Sequence, residues 1–307
     1  MTGVQTCALP ICLSIAENLQ TGTHVTQVVA TDEDTGNSLT YSLTGTNSSH
    51  FAISSSTGLV TTTQTLDRET VSFYTLSIVA TDGDLSATEA LSITVIDIND
   101  APTFTSTPYS ASVVENDAAA VVYTVSATDE DSGDSVTFTL SGTGSTDFSI
   151  NPSTGVVTLT RALNFETTPA YYLTIRAGDS NGGVAMTSLN VTVVDQNDSP
   201  QFVSSPYSVN IGENLPVGTT VIKVFASDDD PSDTLTYSLS GANSNHFNIG
   251  SNTGVITTAQ ELDRENINSY SLNVSVSDGI VTVNEGITIS VDDGNDRSEE
   301  RRVGKEC

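Results

Sequence analysis

The stretch Asp97-Ile98-Asn99-Asp100-Ala101-Pro102 decides the fold. It follows an alternating apolar run, is acidic, and ends in proline, so it reads as a joint between two domains. Nearly the same string returns 98 positions on as Asp195-Gln196-Asn197-Asp198-Ser199-Pro200, and after another 98 as Asp293-Gly294-Asn295-Asp296. A joint that repeats implies modules that repeat, and the 307 residues then hold three of them, each just under 100 residues.

Working outward from the joint, each module carries the same landmarks in the same order. Glu-Asn comes first (Glu17, Glu115, Glu213), then an acidic turn (Asp32-Glu33-Asp34, Asp129-Glu130-Asp131, Asp228-Asp229-Asp230). A strand ending in glycine follows, then Phe-x-Ile, then a Thr-Gly turn (Gly58, Gly155, Gly254). Leu-Asp-Arg-Glu or a variant (66–69, 163–166, 262–265) precedes an Asp-bearing turn (Asp82, Asp179, Asp278) and a last strand into the joint. Leu91, Ile93 and Val95 alternate with Ser92, Thr94 and Ile96, the period-two pattern of a half-buried strand rich in β-branched residues. No segment holds a helical period for three turns. The expected fold is all-β: three tandem seven-stranded Greek-key β-sandwiches, at 13–100, 101–198 and 199–296, the first lacking its N-terminal portion. The three Thr-Gly turns are expected to be hairpins whose glycine takes positive φ.

The two ends share nothing with the repeats. Residues 1–12 and 297–307 read as in-frame translations of sequencing adapters and are set aside from the fold, as a fusion scar would be. Cys7 and Cys307 fall in these stretches and Cys12 at the seam, so the repeats contain no cysteine, and disulfides, thiol chemistry and thiolate metal sites lose their support. The apolar runs are too short to span a membrane, so any membrane attachment is expected through other parts of a parent protein.

The sequence has 38 acids against nine bases, a formal charge of −29. Such a balance opposes nucleic acid and favours cations. Without the two ends, 35 acids and five bases remain (the ends hold Glu299, Glu300, Glu306, Arg297, Arg301, Arg302 and Lys305). The acids do not form long blocks; they sit singly, in twos and in threes, at one phase in every module. Calcium takes six to eight oxygen ligands, and carboxylates, amides and carbonyls in turns supply them.

In these motifs the repeats resemble cadherin repeats. The resemblance is carried by Glu-Asn, by Ala-Thr-Asp-Glu-Asp at 30–34 and 127–131, by Leu-Asp-Arg-Glu, by Ala-x-Asp, and by Asp-x-Asn-Asp-x-Pro followed by Phe104 or Phe202. It covers 13–296 and implies an extended, extracellular rod with about three Ca2+ at each junction. Carried over to the first junction, it implies ligation by Glu17, Asp67 and Glu69 upstream, by Asp97, Asn99 and Asp100 in the linker, and by Asp129, Asp131 and Asp179 downstream, with the carbonyls of Ile98 and Ala101. At the second, the equivalents are Glu115, Glu166, Asp195, Gln196, Asn197, Asp198, Asp228, Asp230 and Asp278. Asn164 stands there in place of the motif's Asp, so weaker calcium binding is expected. Half-sites remain at the ends: Asp32, Asp34 and Asp82, and Glu213, Asp263, Glu265, Asp293, Asn295 and Asp296. The linkers are one residue shorter than is usual in the family and the acidic turns lack its Asn-Gly continuation, features that resemble cadherin-like repeats of large bacterial surface proteins.

The resemblance implies adhesion to another cell-surface protein or a carbohydrate, or a stalk that holds other domains away from an envelope. The sequence has no tryptophan, so the strand exchange of classical cadherins is not expected. A glycosidase-like pair of carboxylates is disfavoured because the same acids recur three times with no other chemistry converging on them. An immunoglobulin or fibronectin type III array would share the sandwich but would need none of these acids. His50 and His246, at equivalent loop positions, are read as surface residues.

Overall fold

The computed structural model describes Val4 and residues 10–34, 36, 38–118 and 120–294. In the first repeat the alternating segments form β1 (Ile11–Ala16), β2 (His24–Gln27), β3 (Thr40–Gly45), β4 (Phe51–Ile53), β5 (Leu59–Thr62), β6 (Phe73–Thr81) and β7 (Ser86–Ile96). They make two sheets, ordered β1-β7-β6-β3 and β2-β5-β4. β6 and β7 pair antiparallel from Phe73 opposite Thr94 to Thr81 opposite Ser86, and β1 lies parallel to β7 with Ile15 opposite Val95. The chain crosses between sheets after β1, β2, β3 and β5, which is the expected Greek-key path.

The period-two pattern sorts each strand into two faces. Leu91, Ile93 and Val95 are 0%, 0% and 2% exposed, while Ile96 next to them is 47% exposed. With Leu76 and Ile78 they meet Phe51 and Val60 of the other sheet, and Leu66 and Tyr74 belong to the same cluster. Burial of each such side chain stabilises by about 1.5–3 kcal/mol, and in a module without α-helices this sandwich core carries the fold.

The third repeat follows the same plan, with a four-stranded sheet from Tyr207–Gly212, Thr282–Asp292, Ser269–Ser277 and Thr236–Ser240 and a three-stranded sheet from Thr220–Lys223, Val255–Thr258 and Phe247–Ile249. In the middle repeat Leu173, Ile175 and Leu189 occupy the equivalent buried positions, and Val121–Thr124, Val156–Leu159 and Phe148–Ile150 form its three-stranded sheet. The chain packs as two compact units whose division runs through the middle repeat: 119–160 and 172–191 go with the first repeat, 112–118 and 161–171 with the third. Each junction therefore lies inside one unit.

Among the described residues the helices are three single 3-10 turns, and none is long and apolar enough to cross a membrane. The Thr-Gly turns are hairpins, with Gly58, Gly155 and Gly254 at φ 70°, 67° and 64°. A Cβ on each would lie 2.2–2.4 Å from the carbonyl oxygen of Val28, Val125 or Val224, so close approach as well as backbone conformation requires glycine there. The two histidines are not simple surface groups: each is half-buried, with Nδ1 2.8 Å from the Tyr74 hydroxyl and 2.7 Å from that of Tyr270. A tyrosine ring enclosed in the core still needs a partner for its hydroxyl, and the loop histidine meets it.

One addition places the junctions. After each complete joint a short strand pairs with the strand that leads into the acidic turn: Thr103–Phe104 with Ala127–Thr128, and Gln201–Val203 with Phe225–Ser227. The linker exit is thereby tied beside Asp129 and Asp228.

Candidate metal centre at the repeat junctions

Each junction is built on a buried glutamate that ties three segments together. Glu17 is 2% exposed; its Oε2 accepts the Arg68 N–H at 2.5 Å and its Oε1 accepts the Ile98 N–H at 2.8 Å. Glu115 does the same with Phe165 and Gln196 at 2.7 and 2.8 Å, and Glu213 with Arg264 and Gly294 at 2.9 and 2.8 Å. The following asparagine turns the chain in the left-handed region, at φ 58°, 62° and 57° for Asn18, Asn116 and Asn214. Asparagine tolerates that region best after glycine. At the two complete junctions its amide reaches the linker, Asn18 Nδ2 donating to Asp100 Oδ1 at 2.9 Å and Asn116 Nδ2 to Asp198 Oδ1 at 2.8 Å. The Glu-Asn motif announced this asparagine, but only the geometry gives it a task.

The linker is held from its other side by the next repeat. Asp131 Oδ2 accepts the Asp100 N–H and Asp230 Oδ2 the Asp198 N–H, both at 2.7 Å. Asn99 Nδ2 donates to Asp179 Oδ2 at 3.0 Å, and Asn197 Nδ2 to Asp278 Oδ2 at 3.1 Å. The acidic turns curl on themselves, with the N–H of Asp34, Asp131 and Asp230 donating to Oδ1 of Asp32, Asp129 and Asp228. Gly183 lies against this assembly; a Cβ there would come 2.7 Å from the Asp100 carbonyl oxygen and 2.9 Å from Ala101 Cα.

Carboxylate oxygens converge within 4.8 Å of one another in the groups Glu17–Glu69–Asp97, Glu69–Asp100–Asp131, Asp129–Asp131–Asp134, Glu115–Glu166–Asp195 and Glu213–Glu265–Asp293. Asp67 stands apart from these groups: its Oδ1 accepts the Thr70 N–H at 2.9 Å and its Oδ2 the Thr70 hydroxyl at 2.7 Å, which lowers its pKa. Asn164 and Asp263 cap the same turn, accepting the N–H of Thr167 at 2.7 Å and of Asn266 at 3.1 Å. Asp82, Asp179 and Asp278 each hold their own loop, with Oδ1 accepting two or three backbone N–H groups. Asn295 and Asp296 lie outside the described residues. Asp134 was not singled out from the sequence. Its signal, a fourth acid five residues after Asp129, recurs as Asp233 but is obscured by Asn37 in the first repeat.

The electrostatics of the cluster are unbalanced. Oδ2 of Asp32, Asp129, Asp198 and Asp228 and Oε2 of Glu166 are buried with no hydrogen-bond partner. Burial raises the pKa of Asp129, and the charges of Asp179, Asp131 and Asp134 add to it, against the Asp131 N–H. Burial likewise raises Asp198, eased by the Asn116 amide and reinforced by Glu115, Asp229 and Asp230. For Glu166 its own N–H lowers the pKa, but burial with Glu115, Asp230 and Asp195 raises it further. In Asp179 and Asp278 burial is outweighed by the Asn99 or Asn197 amide and the loop N–H groups, and both are lowered. A buried carboxylate oxygen without a partner is costly unless a cation meets it. An all-oxygen set of carboxylates and amides in turns suits a hard divalent cation of calcium type. The donor set thus fits the metal.

The junctions differ in resident cations. Arg68 Nη1 lies 3.1 Å from Glu69 Oε1 and 2.9 Å from Asp97 Oδ2, bridging the first repeat to its linker. Arg264 stands 3.8 Å from Asp293 at the third repeat. The second junction has Phe165 at that position.

Tandem β-sandwiches joined by short acidic linkers, with carboxylates of both modules gathered at the joint, define a class of modular β-proteins with acidic inter-repeat junctions. The particular family is fixed by sequence: the cadherin domain model matches residues 12–96, 109–194 and 207–291, and the chain belongs to the cadherin family. It is 37% identical over 277 residues to protocadherin Fat 4 of Homo sapiens, covering 87% of this chain and 6% of that protein. It is also 37% identical over 266 residues to cadherin-23 of Homo sapiens, covering 83% and 8%. Among solved structures, mouse cadherin-23 EC22-24 superposes with a TM-score of 0.65 at 30% identity over 96% of this chain and all of that one. Protocadherin gammaB7 EC3-6 gives 0.64 at 30% identity, covering 96% and 75%. The chain thus spans less than a tenth of the length of these two curated relatives.

Proposed function

We propose that the chain is part of an extracellular, calcium-dependent adhesion protein, in which about three Ca2+ at each junction fix successive repeats as a rod. The observation that carries this reading is the set of buried, unpartnered carboxylate oxygens, which recur at equivalent acidic-turn positions in Asp32, Asp129 and Asp228. The metal would supply charge neutralisation. The chain's own residues supply the frame: Glu17 and Glu115 hold the linker to the upstream repeat, Asp131 and Asp230 hold it to the downstream one, and the converging carboxylates of Glu69, Asp97, Asp129, Glu166 and Asp195 would hold the cations. No catalytic role is assigned to the acids. Attachment to a membrane would come through parts of the parent protein outside this chain.

Calcium titration of the metal-free chain by calorimetry, with thermal melting and small-angle scattering, tests the reading. Extracellular calcium modules bind at about 0.1–1 mM. At a hundredfold excess over Kd, one site adds about 2.7 kcal/mol to stability. Saturable binding, a higher melting temperature and a stiffer particle are expected; a chain indifferent to 10-fold molar excess and to millimolar calcium alike would refute it. The absence of tryptophan argues against the strand exchange of classical cadherins, and a stalk is the second reading. Calcium-dependent aggregation of beads coated with the chain supports a self-adhesive role, and failure to aggregate leaves a stalk or a different cell-surface protein or carbohydrate as partner.

A further inference from the structure

We propose that Asp134 is an additional calcium ligand of the first junction, and that Asp233 is its counterpart at the second; the inference rests on the junctional calcium reading above. Neither residue belongs to the motifs that carry the family resemblance. An Asp134 carboxylate oxygen lies within 4.8 Å of oxygens from both Asp129 and Asp131, and the Asp129 Oδ2 in this same group is buried without a partner.

Asp134 is positioned rather than loose. Its N–H donates to the Asp131 carbonyl at 3.2 Å, which folds the acidic turn back on itself. Ser180 Oγ donates to its Oδ1 at 2.8 Å, and Asn181 Nδ2 reaches Oδ1 at 3.0 Å and Oδ2 at 2.9 Å. Both donors come from the loop that carries Asp179, so the turn and the loop present their carboxylates together. A carboxylate has about four acceptor positions, and three contacts leave one open. Asp134 lines a polar cavity of about 280 Å³ together with Arg68, Asp97, Asn99, Asp131, Ser132 and Asn181. Three carboxylates at this spacing repel unless a cation lies among them. Asp233 repeats the backbone contact, its N–H donating to the Asp230 carbonyl at 3.2 Å.

The competing role for Asp134 is a clasp that only fastens the turn to the Asp179 loop. Calcium titrations of the full chain followed by hydrogen exchange separate the two, because the Ile98 and Asp100 amides, bonded to Glu17 and Asp131, report on the first junction alone. Asp134→Asn keeps an oxygen for Ser180 but removes the charge. We expect its calcium midpoint at the first junction to rise by about tenfold, as loss of one carboxylate from such a set does, with the melting temperature of the metal-free chain unchanged or higher. Ser180→Ala should leave the midpoint unaltered. An unaltered midpoint in Asp134→Asn, or the same shift produced by Ser180→Ala, overturns the proposal while calcium-dependent protection in the parent chain leaves the junctional reading intact. If the parent chain and Asp131→Asn alike show no calcium response, that reading fails and this inference with it.

Discussion

Arg68 should act as a built-in competitor of calcium at the first junction. Its guanidinium sits 3.1 Å from Glu69 and 2.9 Å from Asp97, two carboxylates of the group that also holds Glu17. The side chains of Arg68, Glu69 and Asp97 are 40%, 19% and 50% exposed, so water screens the pairs. Unit charges 4 Å apart attract by about 4 kcal/mol at an effective dielectric of 20 and about 1 kcal/mol in bulk water. Measured exposed pairs are worth about 0.2–1 kcal/mol each. Two such pairs, taken near the middle of that range, give about 1 kcal/mol, or roughly a fivefold change in an equilibrium constant. Arg68→Gln should therefore tighten calcium binding at the first junction about fivefold and lower the melting temperature of the metal-free chain. Phe165→Arg, which installs the cation at the second junction, should weaken calcium there by a similar factor. The assay is hydrogen exchange across a calcium series, read at the Ile98 and Asp100 amides for one junction and at Gln196 and Asp198 for the other. An Arg68→Gln chain whose first-junction midpoint stays put, or moves to higher calcium, refutes the competition.

Asn164→Asp should strengthen calcium binding at the second junction a few-fold, and the turn should not suffer, because Asn164 Oδ1 already accepts the Thr167 N–H as Asp67 does that of Thr70; an unmoved midpoint would remove both positions from the ligand set. Gly155→Ala forces a residue at φ 67° to set a Cβ 2.2 Å from the Val125 carbonyl oxygen, and it should destabilise the middle repeat by more than about 2 kcal/mol, from left-handed strain plus overcrowding, as read by denaturant unfolding. For pH, the raised carboxyls Asp129, Asp198 and Glu166 take up protons more readily folded than unfolded, so the metal-free chain should become more stable as pH falls from neutral toward the ordinary carboxylate range near 3.8–4.5. Below that range the lowered groups Asp67, Asp179, Asp278 and Glu213 are protonated at the expense of the fold, and stability should drop. Melting temperatures of dialysed, calcium-free protein should thus pass through a maximum on the acid side, and a monotonic decline from pH 7 would contradict the reading.

What could be read from the sequence follows physical range. The sandwich was legible because period-two alternation is a local pattern: Leu91, Ile93 and Val95 announce their face before any partner strand is known, and they are 0–2% exposed. The hairpin glycines were legible for the same reason. The acids were legible as a constellation only because three copies share one phase. What the repeat could not convey is how each carboxylate spends its oxygens. Asp67 and Glu69 look alike in a motif, yet the first turns both oxygens to Thr70 and the second joins the charge cluster. Asp134 broke phase in the first repeat, where Asn37 stands, and so went unread. The tyrosine partners of His50 and His246 are not legible locally, because Tyr74 and Tyr270 lie 24 residues further along the chain.

The junction glutamates tie the linker to the upstream repeat without a cation. Glu17 Oε1 and Oε2 are both committed to backbone N–H groups, one in the turn after Leu66 and one in the linker, so its charge is fixed inside the upstream repeat whether or not a metal is present. The linker is thereby anchored to that repeat by hydrogen bonds that need no ion. On the downstream side the anchor is weaker, since Asp131 and Asp230 each hold the linker through one oxygen and one N–H, whereas both oxygens of Glu17 and of Glu115 accept backbone N–H groups, one of them the linker's. Removing the cation should therefore release the linker from the downstream repeat first and leave it attached to the upstream one. In hydrogen exchange of the metal-free chain, the Ile98 and Gln196 amides should stay protected after those of Asp100 and Asp198 have opened, and the reverse order would show that the downstream anchor is the stronger.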